Sequence, residues 1–500
     1  MDVMAHLREL RDFGGTARTR GLPDTSIERF ATHDASLRRA VEEAVAVHRA
    51  LRADMADFLR KDEADQLQDL QCGLVNFYPD DGVNPYVPAA ARGPWIVTLK
   101  GAVIHDDGGY GMLGFGHNPD AILDAMARPQ VMANVMTASV SQLRLCEALR
   151  KELGRTRGAS PYTHFMFLNS GSESVTLAGR VADVNARLMT DPGARHAGRT
   201  IKRLAVKGAF HGRTERPALY SDSSRRNYQQ HLASYRNEDS LITVEPYNVA
   251  QLKAAFAEAD RQGWFIEAMF LEPVMGEGDP GRAVTPEFYA AARELTRDHG
   301  TLLLVDSIQA GLRAHGVLSI VDYPGFESLD APDMETFSKA LNAGQYPLSV
   351  LAVSDQVAGL YRKGIYGNTM TANPRALDVA LATLGELTDE VRTNIRERGR
   401  EFVEKIEALK GELGGLITKV QGTGLLFSCE LSSEFKCFGE GSTEEYMRER
   451  GMGVIHGGVN SLRFTPHFRV TSAEVDLIVE EIRHALKEGP RRSASTEKAA

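Results

Sequence analysis

Four short segments carry the residue types that could do chemistry. Lys339 lies in Thr336-Phe337-Ser338-Lys339-Ala340-Leu341, at the end of an apolar run. A free ammonium is costly there, and burial lowers the amine pKa from its reference of about 10.4, which leaves a nucleophile for carbonyl carbon. The plain alternative is a lysine that reaches the surface along its stem. Asp306 ends the run 302–305 in Val305-Asp306-Ser307-Ile308-Gln309. A carboxylate at the end of a buried strand needs a cation or strong donors. It could cap the next helix, or it could partner a protonated ring nitrogen. Asn169-Ser170-Gly171-Ser172-Glu173-Ser174 puts small residues before a helix. Backbone N–H groups can approach an anion there, and the helix N-terminus favours negative charge. Phe210-His211-Gly212-Arg213-Thr214 offers an aromatic face, a tight turn and a guanidinium that can bind a carboxylate.

These segments need strands to position them. From about residue 94, short β-rich runs alternate with amphipathic stretches. Strands are predicted at 94–99, 164–168, 203–206, 268–271, 302–305, 334–337 and 348–353, with a helix at 287–299. Such alternation argues for a mainly parallel sheet covered on both faces, with ligands beyond the carboxyl ends of its strands. All four segments fall at such ends. Together they supply an anion cradle, a partner for a ring nitrogen, an imine-forming lysine and a stacking aromatic, the set that pyridoxal 5′-phosphate needs. Gly109-Tyr110-Gly111-Met112-Leu113-Gly114 also matches G-x-G-x-x-G, but no helix opens at its third glycine. The following helix is predicted to start at Pro119 with Asn118 as its cap, so a nicotinamide site is disfavoured.

The flanks read differently. Residues 1 to about 70 are helical and polar, as an arm or a surface cap, and 76–92 reads as a Pro-, Asp- and Gly-rich loop. A long helical stretch follows Asn373-Pro374 to about residue 413. Strands at 416–420, 424–430, 453–455 and 462–464 and a helix at 472–486 complete a smaller α+β domain. The domain expectation is a helical extension and loop at 1–93, a large α/β domain at 94–375, a small domain at 376–488 and a disordered tail at 489–500.

The 500 residues are 43% hydrophobic and 25% charged, which excludes wholesale disorder and a small disulfide scaffold. Lys and Arg number 58 against 67 Asp and Glu, a formal charge of −9, so nucleic acid is a poor partner. Cys72, Cys146, Cys429 and Cys437 form no CxxC pair and no zinc-ligand spacing, so no metal is expected. No signal core and no membrane-length apolar run is present, and the chain reads as soluble and cytoplasmic.

The motifs NSGSES, AFHGRT, LEPVMGEG, LLLVDSIQAGLRAHG, TFSKAL and GNTMTANP, in this order and spacing, resemble the class III (ornithine/4-aminobutyrate type) aminotransferases of fold type I. The resemblance covers roughly residues 94 to 487. It implies a mainly parallel seven-stranded sheet sandwiched by helices, a smaller α+β domain, and pyridoxal 5′-phosphate as cofactor. It implies that Lys339 forms the internal aldimine, Asp306 pairs with the ring nitrogen and Gln309 lies near the ring hydroxyl. Gly171 and Ser172 hold the phosphate beside Phe210 and His211, and Thr369 reaches it from a neighbouring subunit of a homodimer. Tyr110 and Arg213 match positions that meet a substrate carboxylate. Glu277 pairs with Arg463 in SLRFTP, an arginine freed for a 2-oxo acid. The implied reaction is ping-pong transfer from an ω-amino or diamino acid (ornithine, lysine, an acylated diamino acid or 4-aminobutyrate) to a 2-oxo acid such as 2-oxoglutarate. An aminomutase, racemase or epimerase would keep the cofactor and change the outcome, and a cofactor-free scaffold would use neither. The chain departs from the common pattern at Ser307, at Met275 and across 368–372.

Overall fold

The computed structural model describes residues 2–108 and 110–492. Its backbone contacts divide it into two compact units. One comprises Met1–Asp120, Glu397–Gln421 and Phe427–Ala500; the other comprises Ala121–Arg396 and Gly422–Leu426.

The first unit opens with helices, of which Ala35–Asp54 is the longest; its first turn is capped by Asp34, whose Oδ1 accepts from Ser36 N at 2.7 Å. An antiparallel meander follows: β1 (Pro88–Arg92), β2 (Trp95–Thr98) and β3 (Val103–Asp106).

The second unit holds a seven-stranded sheet. Its strands are β4 (His164–Leu168), β5 (Thr200–Val206), β6 (Leu241–Val244), β7 (Trp264–Leu271), β8 (Leu302–Asp306), β9 (Met334–Phe337) and β10 (Ser349–Val353), in the order β4-β10-β9-β8-β7-β5-β6. β6, β5, β7, β8 and β9 pair in parallel, and β10 is antiparallel to both β9 and β4. Both faces are buried. Ala268 and Phe270 of β7 and Leu302 and Leu304 of β8 join one core with the helix Gly171–Thr190. The alternate residues Met269, Leu271, Leu303 and Val305 join a second core with Leu252, Phe256, Phe288 and Ala292 of the helices Val249–Gln262 and Pro286–His299. Residues two apart on a strand share a face, so continuous apolar runs such as Leu302–Val305 serve both cores. A sheet carried this way leaves the ends of β8 and β9 at Asp306 and Phe337 side by side, with the end of β4 at Leu168 across β10.

The chain continues with β11 (Ile417–Thr423), β12 (Leu426–Leu431), β13 (Met452–Gly453), β14 (Ile455–Gly457) and β15 (Ser461–Phe464), which fall in the first unit apart from residues 422, 423 and 426. The order β11-β12-β15-β14 forms a third sheet, and β13 adds to the meander beside β3 in parallel. The chain closes on the helix Ser472–Glu488, which a capping box from Thr471 and Glu474 starts.

Several expectations need correction. Part of 76–92 is strand, not loop: β1 pairs with β2 and its backbone continues the meander. The strand predicted at 94–99 belongs to that meander, and the seventh strand of the large sheet is β6 at its edge. The stretch after Pro374 is two helices, Pro374–Gly385 and Asp389–Glu412. The helix after the GYGMLG segment begins at Asp120, and Asn118 takes a left-handed φ of 48° while its side chain donates to Ala91 O. The compact units divide after Asp120 and Arg396. Of the expected tail, Arg491 and Arg492 are tied to Glu434 and Phe435, and 493–500 lie outside the described residues.

Candidate active site

One cavity of about 180 Å³ in the second unit gathers Gly171, Ser172, Phe210, His211, Asp306, Gln309 and Lys339. Three strand ends supply it. At the end of β4, Ser170 caps the helix Gly171–Thr190, its Oγ accepting from Glu173 N at 3.3 Å. Ser349 of β10 donates to Ser170 O at 2.6 Å and fixes that turn. A Cβ at Gly171 would stand 2.7 Å from Ile308 Cδ1, so the Ile308 side chain packs directly against its backbone. Gly212 combines a φ of 113° with a would-be Cβ 2.6 Å from Ser172 Oγ. These two glycines let the chain press close around the helix N-terminus, where N–H groups and the dipole suit an anion.

Asp306 ends β8 and is 5% exposed. Its Oδ2 lies 2.9 Å from His211 Nδ1, and its Oδ1 accepts from Ile308 N and Thr336 Oγ1, each at 3.2 Å. With Nδ1–H on the carboxylate, His211 turns its other nitrogen, Nε2, into the interior, where it is buried without a hydrogen-bond partner. Gln309 Nε2 is buried and unpartnered too. Lys339 follows β9 and opens the turn Lys339–Asn342 with a left-handed φ of 46°. A lysine in that conformation costs about 1–2 kcal/mol, a strain of the kind that collects at functional sites. Ser338 Oγ and Asn342 Nδ2 brace the turn by donating to Leu348 O at 2.7 and 2.9 Å.

The cavity also takes in Glu272, which the motif reading does not single out. Burial pushes its carboxyl up to about 7, Asp306 pushes it further in the same direction, and His211 opposes. Phe210 N and Gly276 N donate to it, each at 3.0 Å. The signal that marks Asp306, an acid closing an apolar strand, marks Glu272 at the end of β7 as well.

The other predicted residues are placed as follows. Arg213 is exposed, with its guanidinium 5.3 Å from the Phe210 ring centroid and Nη1 3.2 Å from Ser224 Oγ. In the first unit, Arg463 of β15 is fully buried and stands 5.3 Å over the Tyr110 ring, whose hydroxyl bonds to Tyr78. Glu277 belongs to the second unit and Arg463 to the first. Thr369 is exposed and does not line the cavity; its neighbours Tyr366 and Asn368 donate to Glu173 Oε1 at 2.9 and 2.7 Å. Ser307 is buried, and its hydroxyl donates to Glu335 Oε1 at 2.6 Å.

A family model described as aminotransferase class-III matches residues 78–486. The chain belongs to the class-III aminotransferases. Among its relatives, an ornithine aminotransferase 2 of Staphylococcus aureus is 28% identical over 429 residues, 83% of this chain and 98% of the relative. An acetylornithine aminotransferase of Neisseria meningitidis serogroup B is 27% identical over 418 residues, 82% of this chain and 96% of the relative. The crystal structure of the ornithine aminotransferase from Toxoplasma gondii ME49 superposes with a TM-score of 0.72 at 22% identity, covering 87% of this chain and 98% of that one. The fold is that of the fold type I transferases, and pyridoxal 5′-phosphate is the cofactor of this class-III aminotransferase. The cavity fits it: a cradle closed by Gly171 and Gly212 for a phosphate, Asp306 for a ring nitrogen, unpartnered donor capacity at Gln309 Nε2, and an amine at Lys339. Among the described residues, no helix is long and apolar enough to cross a membrane.

Proposed function

We propose that this class-III aminotransferase takes the amino group of an ω-amino or diamino acid of the ornithine or acetylornithine kind and passes it to a 2-oxo acid such as 2-oxoglutarate. The observation that carries the reading is the joining of Lys339 and the Asp306–His211 pair in one cavity. When bound, the cofactor supplies a carbonyl carbon and an electron-withdrawing protonated ring. Asp306, held by His211, Thr336 and the backbone, would keep the proton on that ring nitrogen. Lys339 Nζ, once released as a neutral amine, would move the proton at the amino-bearing carbon of the substrate. Gly171, Ser172 and the helix N-terminus would hold the phosphate, with Phe210 against the ring.

For the substrate, Arg213 on the Phe210 face is a guanidinium that suits a carboxylate. The ornithine and acetylornithine aminotransferases among the relatives support a donor with a carboxylate away from the reacting amine. The active unit is proposed as a homodimer in which Thr369 of one subunit serves the phosphate of the other. Its exposure fits donation outward, and the exposed apolar residues Val131, Met132, Val135 and Met136 fit a subunit interface.

The test is to record the visible spectrum of the holoenzyme and add ω-amino and diamino acids singly, without acceptor. Bleaching to the amine form of the cofactor by one donor, restored by 2-oxoglutarate, supports the reading. A band that shifts without bleaching would favour a mutase or racemase outcome instead. For the subunit arrangement, mixing Lys339→Ala with Thr369→Ala chains should yield hybrids more active than either parent; equal inactivity would refute donation across the interface.

A further inference from the structure

A second cluster of chemistry-bearing side chains lies in the first unit and takes no part in the proposed reaction. His105 is on β3, His467 follows β15, and Glu474 is in the first turn of the helix Ser472–Glu488. Glu474 Oε1 stands 3.0 Å from His105 Nε2 and 2.9 Å from His467 Nε2, and the ligand atoms of all three lie within 4.8 Å of one another. His105 and Glu474 are buried, at 0% and 4% exposure. We propose that His105 Nε2, His467 Nε2 and Glu474 Oε1 form a binding site for a divalent transition-metal ion of the zinc class.

The geometry suits such an ion. Zinc takes imidazole nitrogen and carboxylate oxygen at roughly 2.0–2.2 Å, so neighbouring ligands of a tetrahedral ion stand roughly 3.3 Å apart. The two pairs that share Glu474 Oε1 are within a few tenths of an ångström of that spacing. The groups behind the ligands are also in place. Asp107 Oδ2 accepts from His105 Nδ1 at 2.8 Å, which holds the ring with Nε2 facing Glu474. Thr471 donates to Glu474 Oε2 from both its backbone N and its Oγ1, each at 2.7 Å, so Oε1 remains for the ion.

Access and the fourth position come from a cavity of about 610 Å³ whose wall includes His467, Thr471 and Glu474 as well as Phe30, Asp34 and Phe115. A water from that cavity would complete three protein ligands. On binding, each Nε2 gives up any proton it carries to solvent, and the ion replaces the two N–H···O contacts on Glu474. The three ligands lie 362 and 7 residues apart in the chain, which is why no ligand spacing is legible there. Without an ion, the same groups would form only a hydrogen-bonded brace between β3 and the closing helix.

The test uses tag-free holoenzyme, treated with chelator, dialysed and titrated with zinc alone. One zinc retained per chain by elemental analysis, with a raised melting temperature, is expected. Cobalt in its place should give the visible d–d bands of a four-coordinate ion. His467→Ala should lose the retained zinc and the melting shift while keeping its far-ultraviolet circular dichroism and its bound cofactor. Retention well below one per chain in the wild type, or equal retention in His467→Ala, would overturn the site. If His467→Ala does not fold, the wild-type stoichiometry and the cobalt spectrum decide, and a missing d–d band is then the refuting result. None of these readouts depends on transaminase activity, so failure here leaves the proposed reaction standing.

Discussion

At Asp306 three donors converge on one carboxylate: His211, Thr336 Oγ1 and Ile308 N. An amide at this position keeps the shape but cannot hold a neighbouring proton by charge. Asp306→Asn is therefore expected to lower kcat by about 10²–10³ while the protein still retains cofactor; near-normal turnover would reduce Asp306 to a structural cap. Gly212 tests the cradle. Gly212→Ala meets a φ of 113° and Ser172 Oγ at 2.6 Å, a strain of about 1–3 kcal/mol. Cofactor dissociation, followed by absorbance during dialysis, should rise about tenfold or more, since 1.4 kcal/mol is a factor of ten. Asp306 stands out in the sequence because it closes the wholly apolar run 302–305, whereas the strand before Lys339 carries Glu335 and Thr336, and Lys339 is marked by its motif instead. Glu272 carries the same mark as Asp306 at the end of β7 and was hidden by its motif, whose Pro and Gly residues draw the eye to the turn beyond it. His211 reads as part of an aromatic turn, and only the fold reveals that it holds Asp306.

Among the elements, those of the large sheet were legible to within a few residues wherever β-branched and large apolar residues run unbroken, as in β8 and β10. β1 is Pro-Ala-Ala-Ala-Arg, which has no β-propensity to speak of, and is strand because it pairs with β2. β6 is short and half-exposed at an edge, so its periodicity is weak. The N-terminal helices were read as an arm or a cap, and Lys100 shows how they are held. Its ammonium donates to Gly14 O, Leu59 O and Lys61 O at 2.6, 2.9 and 2.6 Å. Burial lowers its pKa, with Glu63 and Asp62 opposing. Lys100→Met would keep the aliphatic packing and strand three carbonyls. A loss of about 2–3 kcal/mol is expected in urea unfolding, with trypsin cleaving earlier near Arg60 and Lys61. An unchanged midpoint and an unchanged cleavage pattern would show that the extension is held by its apolar contacts alone.

For the whole molecule, the sequence could not show that the N-terminal 120 residues form one compact unit with the C-terminal segments, because that unit depends on pairings such as His105 with Met452, far apart in the chain. Nor could it show which acids end up buried together. Glu335 on β9 is fully buried and accepts from Ser307, Ser319, Tyr162 and Ile320 N. Burial nonetheless pushes its carboxyl up to about 7 from an ordinary 4.5, and Glu272 is raised similarly. A carboxyl whose folded pKa exceeds its unfolded one makes the folded chain bind more protons between those two values. Its contribution to stability is therefore fully present below about pH 4.5, declines as pH rises, and is lost above about pH 7. Glu335 does not line the cofactor cavity, so it isolates this effect in the holoenzyme. Glu335→Gln should flatten the fall in unfolding free energy between pH 5 and 7 by up to about 1.4 kcal/mol per pH unit, measured by urea unfolding with cofactor held saturating. Parallel curves for the variant and the wild type would mean that the four donors keep Glu335 ionised throughout, and that the hydroxyls of Ser307, Ser319 and Tyr162 outweigh the cost of its burial.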